Sequence, residues 1–467
     1  MAFSWGRRFS TLSVVSAPSR LRILTLLFVV TIVSTIARVY LAHRYYGFQT
    51  GDDLEIAEAA FQRAVGLVHS AWDVRSLLVP DLFVAPLVYL SHEVGIRDPM
   101  TLAAIARCPF IILSGVNILL VFVLGMRWYG ETAAVVASSL YAFHWIPLVY
   151  GSSLYPRTIA VTCILAAAIL LSGNEGWKRA FTAGLLAALA VTTRYSEAIF
   201  FLSLLLLFRR LALVLGFLTG LFAFVGLYDR VTWGRWFGSL IEFAELTFVR
   251  RDASSAVVAQ PPWWYLSNLA HWLPLALLPL VIVAARSSER RRAVALVVIP
   301  VLTLSFIFHK ELRYLQVVVP FTLLMAAHGF VIWWRRPHRR RVAAVLLLAA
   351  FPLGLGRLGT ASKRSTNAVD AAVWIAARQP STVGLSQAWA YGGRLFLGNE
   401  AVITDVGIPP DLQLIRKVAP ALSVLAVYSG HADEALSVAC AKAGLSERAA
   451  FGGRGGRGVT LFYRPPH

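Results

Sequence analysis

Residues 77–95 read LLVPDLFVAPLVYLSHEVG, and the side of the membrane given to every later residue depends on whether this run crosses it. The run is long enough to span but is interrupted by Pro80, Asp81 and Pro86. Proline removes a helix hydrogen bond and a carboxylate in hydrocarbon is costly. The pattern therefore suits an interfacial or half-inserted helix better than a full span.

Working outward, the chain is 58% hydrophobic and only 15% charged, with a mean hydropathy of +0.66, too apolar for a soluble protein. Spans are expected near 21–42, 101–125, 131–150, 155–172, 180–195, 197–208, 211–228, 265–285, 293–308, 315–334 and 341–358, about eleven in all. The expected fold class is an all-α polytopic membrane protein. Residues 21–42 are too long for a signal-peptide core and lack a small-residue cleavage site, so they read as a retained first span after a cytoplasmic N-terminus at 1–20. Cys108 and Cys163 fall in apolar runs and Cys440 stands alone, which implies no disulfide framework.

A net charge of +20 and a pI near 10.5 would suggest a nucleic-acid partner in a soluble domain. Here the cations sort by side instead, and no nucleic acid is expected. With 77–95 left uncrossed, alternate connections carry Arg7, Arg8, Arg20 and Arg22; Arg127; Lys178 and Arg179; Arg209 and Arg210; Arg286 and Arg290 to Arg292; and Arg335, Arg336 and Arg339 to Arg341. The positive-inside rule makes that side cytoplasmic. The opposite face receives 43–100, 151–154, Arg194 with Tyr195 and Ser196, 229–264, 309–314 and everything after about residue 359. A membrane domain at 21–358 is thus followed by a non-cytoplasmic domain at 359–467. There, short apolar runs at Ser423 to Tyr428 and Val459 to Tyr463 and helical patterns at Asn367 to Arg378 and Asp433 to Ala443 predict a small α/β unit.

The first external loop, 43–100, contains TGDDLEIAEAAFQRAV at 50–65. Leu54, Ile56, Ala57, Ala60, Phe61, Ala64 and Val65 recur near helical spacing and leave Glu55, Glu58, Gln62 and Arg63 on the other side. This predicts an amphipathic helix lying on the membrane, with Asp52 and Asp53 at its N-terminus. One aspartate suffices as a cap, which leaves a second for chemistry.

HKELRY at 309–314 sets His309, Lys310, Glu311 and Arg313 at the end of an apolar run. Cations there ordinarily snorkel to headgroups; the functional alternative is an anionic ligand. With Arg75, Arg157, Arg194 and Asp229 they fall on one face at headgroup depth. Such a set suits group transfer from a lipid-phosphate donor, because a leaving phosphate wants fixed cations and an incoming hydroxyl wants a carboxylate base. Arg157 and Arg194 serve equally well as interfacial anchors, Asp229 as a span-ending cap, and Trp263 and Trp264 as an aromatic belt. His144 reads as a satisfied buried histidine. There is no Walker or Rossmann motif, and FGGRGGRG at 451–458 reads as a flexible hairpin loop. No metal-ligand spacing stands out and no cofactor is expected, although Asp52 with Asp53 is able to hold a divalent ion weakly.

HKELRY also matches the His-Lys-Glu, any residue, Arg-aromatic motif of glycosyltransferase family 22, the dolichyl-phosphate-mannose mannosyltransferases of N-glycan and GPI-anchor assembly, which have the GT-C fold. GDD at 51–53, AWDVRSLLVP at 71–80, PRT at 156–158, TTRYSEA at 192–198, and Asp229 with Trp233 and Gly234 resemble that family's other motifs in the same order. The resemblance covers roughly residues 20 to 335. Departures are Asp53 in place of Glu, Tyr195-Ser196 after Arg194 in place of Pro-Thr, and a shortened stretch around Trp72.

The resemblance implies an inverting glycosyltransferase that moves a sugar, by preference mannose, from a polyprenyl-phosphate donor to a lipid-linked or surface glycan acceptor. It makes Asp52 the general base, Asp53 an orienting group, and Arg157, Arg194, His309, Lys310 or Arg313 the phosphate contacts, with Arg75, Glu311 and Asp229 as further substrate contacts. The enzyme is expected in the plasma or inner membrane of a bacterium, or the endoplasmic reticulum of a eukaryote, with its site on the non-cytoplasmic side. The rival class is a flippase or transporter of lipid-linked saccharide; against it, the charges gather at one face and no internal repeat is evident. A third option is another enzyme of the GT-C fold, an aminoarabinose-type transferase or an oligosaccharyltransferase, which shares an acidic first loop but is not expected to carry HKELRY.

Overall fold

The structure, a computed structural model, describes residues 17–44, 48, 51–67, 75–173, 175–250, 259–307, 309–361, 366–452 and 458–465. Of the motif at 71–80, residues 71–74, with Trp72, lie outside them.

The opening stretch does not form one straight helix. A π turn at Val79–Val84 carries Pro80 and Asp81, then passes into a helix at Ala85–Glu93 with Pro86 in its first turn. Asp81 Oδ2 accepts from Arg63 at 2.8 Å and from the Tyr228 hydroxyl at 2.7 Å. The interruption is therefore where this segment is tied to its neighbours.

Among the described residues three helices are long and apolar enough to cross a membrane, Leu21–Arg44, Pro99–Tyr129 and Leu211–Thr232. Shorter apolar helices at Arg157–Leu171, Tyr195–Phe208, Leu275–Ala285 and Val318–Trp334 occupy other expected spans. Trp177–Thr193 and Pro337–Leu355 fall on two more. Two expected spans are broken. The run 131–150 splits into Glu131–Ala142 and Trp145–Tyr150 around His144. There Nδ1 accepts the Ile146 N–H at 3.2 Å, and Nε2–H donates to the Trp272 carbonyl at 3.0 Å. Both ring nitrogens are thus consumed by capping. The run 265–285 splits into Trp264–Ser267, Leu269–Trp272 and Leu278–Ala285, and Pro274 stands at the break.

The helices pack by small residues, as they must where lipid removes the hydrophobic force between them. A Cβ on Gly184 would collide with the Leu213 carbonyl and one on Gly216 with the Phe181 carbonyl, so the helices Trp177–Thr193 and Leu211–Leu221 lie in backbone contact. The first span exposes Leu21, Phe28, Ile32 and Ile36. It is held by a buried polar pair: Ser34 Oγ donates to the Ala142 carbonyl at 2.9 Å, and Arg38 Nε to Ser114 Oγ at 2.7 Å.

The C-terminal domain is a five-stranded sheet of order β2-β1-β3-β5-β4. β1 (Thr382–Leu385), β2 (Val402–Asp405) and β3 (Val424–Tyr428) are parallel. β4 (Glu447–Phe451) and β5 (Val459–Tyr463) return antiparallel, with Val424 opposite Tyr463 and Glu447 opposite Tyr463. The two segments read as strands become β3 and β5, and the helical patterns become Thr366–Ala376 and Glu434–Lys442. FGGRGGRG joins β4 to β5, although residues 453–457 lie outside the described ones. Alternation along the strands gives the sheet two apolar faces. Leu425, Val427 and Phe462 pack with Ile415, Leu436 and Cys440. Val383, Val424, Ala426 and Leu461 join the same buried cluster as the membrane helices and the acidic helix.

That continuity corrects the expectation for the acidic helix, Gly51–Ala64. It does not lie on a membrane surface with its polar side in water. Asp52, Asp53, Glu55, Glu58 and Gln62 are all buried, and of the expected polar side only Arg63 is exposed. The segment Val79–Glu93 covers one side, and the C-terminal domain, through Ala388–Tyr391 and Gly393–Leu397, covers another.

Candidate active site

The first turn of the acidic helix sets Asp52 among three arginines from separate parts of the chain. Asp52 Oδ1 lies 2.9 Å from Arg75 Nη2. Its Oδ2 lies 2.7 Å from Arg194 Nη2 and 3.1 Å from Arg313 Nη1. Two of the arginines arrive at helix ends: Arg194 follows Trp177–Thr193, and Arg313 sits in the 3-10 turn Leu312–Leu315 that opens Val318–Trp334. Both also have a second anchor. Arg313 pairs with Glu311, whose other oxygen lies 3.6 Å from His309 Nε2, and the Arg194 guanidinium lies 6.0 Å from the centre of the Tyr155 ring. Arg75 pairs in addition with Glu55, one turn beyond Asp52.

A second ion pair stands against the first. Arg157 donates to Glu197 and, at 2.8 Å, to Ser196 Oγ, and also meets the Tyr155 hydroxyl. Its guanidinium lies 4.4 Å from the centre of the Tyr314 ring, and that of Arg313 lies 5.8 Å from the same ring. Tyr155 has Arg157, Arg194 and Arg313 around it, at 5.7, 6.0 and 5.4 Å. Aromatic faces keep guanidinium groups in place without neutralising them.

The electrostatics follow from these contacts. Burial pushes the Asp52 carboxyl up, but Arg194, Arg313 and Arg75 together outweigh it and hold it well below the usual carboxylate range. Glu311 is likewise pushed up by burial and pulled down further by Arg313 and His309, to about 2. Arg75, Arg157, Arg194 and Arg313 thus face Asp52, Glu55, Glu197 and Glu311. An anion entering this site has to compete with carboxylates already present. Both Asp52 oxygens point at guanidinium groups, an arrangement that repels a divalent cation while those arginines stay.

Of the residues singled out in the sequence, Asp52, Arg75, Arg194, His309, Glu311 and Arg313 come together, with Arg157 beside them and Asp53 buried next to Asp52. Lys310 turns elsewhere, donating to the carbonyls of Gln260 at 2.8 Å and Ile307 at 2.6 Å. Asp229 accepts the N–H and hydroxyl of Ser239, at 2.8 and 2.6 Å, and closes the turn between them. Glu55, Glu197, Tyr155 and Tyr314 were not singled out. Glu197, three residues after Arg194, and Tyr155, two before Arg157, were legible only as neighbours of candidates.

Apolar helices followed by a small C-terminal sheet are the features this chain shares with integral membrane enzymes of the GT-C fold. Residues 55–367 match the Alg9-like mannosyltransferase family, more than half of the chain, and the chain belongs to that family. The match contains HKELRY and begins just after Asp52 and Asp53. No curated protein sequence matches the chain. Among solved structures, ArnT from Cupriavidus metallidurans bound to undecaprenyl phosphate superposes with a TM-score of 0.62 at 12% identity, over 96% of this chain and 98% of that one. The oligosaccharyltransferase of Archaeoglobus fulgidus in its apo form gives 0.59 at 13% identity, over 93% of this chain and 74% of that one. The same oligosaccharyltransferase in complex with an inhibitory peptide and a dolichol-phosphate gives 0.54 at 12%. At such identities the likeness is one of fold.

Proposed function

We propose that this membrane glycosyltransferase is inverting and moves mannose from a polyprenyl-phosphate donor to a lipid-linked or surface glycan acceptor on the non-cytoplasmic side. One observation carries the reading: Asp52 is caged by Arg75, Arg194 and Arg313. The undecaprenyl phosphate and dolichol-phosphate in the structures of similar fold support a ligand of the same chemistry here.

The donor phosphate competes with Asp52 for its guanidinium groups. As they turn toward the phosphate, Asp52 loses the interactions that depress its basicity and becomes able to accept a proton. The acceptor hydroxyl gives that proton to Asp52 while its oxygen forms the new bond to the anomeric carbon. The bond from that carbon to the phosphate oxygen breaks, the electron pair leaves with the phosphate, and the arginines hold the charge that grows there. One displacement inverts the anomeric centre. Two carboxylates on successive residues do not flank a sugar ring, so a retaining mechanism is not required.

Purified protein incubated with radiolabelled polyprenyl-phosphate mannose and an extracted glycolipid acceptor should yield labelled glycan. Asp52→Asn should lower turnover by roughly 100-fold to 10,000-fold while the folded variant still binds the donor. Turnover at the wild-type rate would remove Asp52 from the role of base. Transfer of another sugar in preference would replace mannose.

A further inference from the structure

We propose that Glu58 is a positioning residue through which the C-terminal domain fixes the acidic helix, and with it Asp52, during transfer. The inference rests on the glycosyltransferase reading above.

Glu58 lies six residues beyond Asp52, about 9 Å along the helix. It is only 5% exposed. Its Oε1 accepts the backbone N–H of Arg394 at 3.0 Å and the Gln62 amide at 3.3 Å. The contact depends on Gly392 and Gly393. A Cβ on Gly393 would stand 2.6 Å from Glu58 Oε1; one on Gly392, whose φ is +66°, would stand 3.2 Å from Leu54 Cδ2. With two residues lacking side chains, the backbone of the C-terminal domain settles directly on the helix. Phe48 and Phe396 close the same contact, with ring centroids 6.4 Å apart.

The two halves of the acidic helix are held differently. Its first turn is held through Asp52 and Glu55 by Arg75, Arg194 and Arg313. Its second half is held by Glu58 and by the 2.8 Å pair of Arg63 with Asp81, of which the Arg63 side is exposed. When a donor phosphate draws the arginines from Asp52, the first turn loses its anchors at the moment when the base has to be in place. The buried contact at Glu58 involves none of those arginines and stays made. A misplacement of about 1 Å is enough to cost on the order of 100-fold in rate.

The test uses the full-length purified protein with polyprenyl-phosphate mannose as donor. Glu58→Ala and Gly393→Ala should each lower kcat on the order of 100-fold with donor affinity unchanged, and Glu58→Gln, which keeps an acceptor oxygen in place, should restore most of the rate. Wild-type kcat in both Glu58→Ala and Gly393→Ala would overturn the proposal. So would loss of donor affinity in step with kcat and without rescue by Gln, since that is what a general loss of folding produces. Amide exchange over residues 54–62 with and without polyprenyl phosphate gives a second readout, independent of turnover. Added polyprenyl phosphate should raise exchange there in Gly393→Ala but not in the wild type, and equal protection in both overturns the proposal. If the wild type transfers no sugar, the glycosyltransferase reading fails, and the exchange experiment still decides the role of Glu58.

Discussion

Asp52 in its arginine cage is a poor base, and the cage is what a single substitution changes most directly. Replacing Arg313 with Gln removes one cation 3.1 Å from Asp52 Oδ2, so the carboxyl should move up toward its ordinary value. The acid limb of kcat/KM, which reports the free enzyme, should then shift to higher pH while polyprenyl-phosphate binding weakens. An unmoved limb would mean that Asp52 is not the group titrating. Glu58 behaves in the opposite sense. Burial raises its carboxyl from 4.5 to about 7, against the Arg394 N–H and the Arg394 charge, with Asp405 adding to the rise. Because the folded value lies above the unfolded one, ionising Glu58 works against the fold. Wild-type stability should fall relative to Glu58→Gln as pH rises from about 4.5 to about 7 and stay level above, by at most about 3 kcal/mol. Denaturation of both proteins across that range is the measurement; parallel curves would contradict it.

At the scale of elements, Lys310 separates two roles that HKELRY combines when read as a string. Arg313 faces Asp52, but Lys310 ties Gln260, shortly before the helix Trp264–Ser267, to Ile307 after the helix Ile299–Ser305. The Tyr265 hydroxyl supports the same turn by donating to the Glu311 carbonyl at 3.3 Å, whereas Trp263 is exposed. Lys310→Met should therefore leave polyprenyl-phosphate affinity unchanged and lower stability by roughly 1–3 kcal/mol, with faster proteolysis near residue 260. Weakened binding equal to that of Arg313→Gln would return Lys310 to the phosphate. Most helices were legible because an apolar run of spanning length is a local property of the chain. The breaks at His144 and Pro274 were not, since a run of the same composition continues across each. The environment of the acidic helix was also hidden. Its alternation of Leu54, Ala57 and Phe61 with Glu55, Glu58 and Gln62 is that of a surface helix, and what covers the polar side comes from residues 388–397. In the site, the arginines and Asp52 were legible from sidedness and resemblance. Glu55 and Glu197 were not, because their identity as partners depends on chain crossings that spacing does not encode.

For the whole molecule, sidedness is the property on which the chemistry depends, and it rests on the treatment of residues 77–95. The segment's π turn and its ties to Arg63 and Tyr228 support keeping it on one side. In a cysteine-free background, single cysteines at the exposed positions Asn399 and Glu400 should react with an impermeant maleimide from the non-cytoplasmic side, and those at Ser288 and Arg340 only after permeabilisation. The reverse pattern would invert the topology. The contact between Glu58 and Arg394 also sets a clock, because it joins residues 336 apart. At synthesis rates of ~5–20 residues per second, the acidic helix waits about 20 to 70 s after leaving the ribosome before the segment that covers it has been made. Through that interval Glu58 has no Arg394 N–H to accept from, while Asp52 and Glu55 meet their arginines as residues 75, 194 and 313 are made. The second half of the helix is therefore fixed last, by the arrival of the segment around Arg394, and a partly made protein holds its base from one end only.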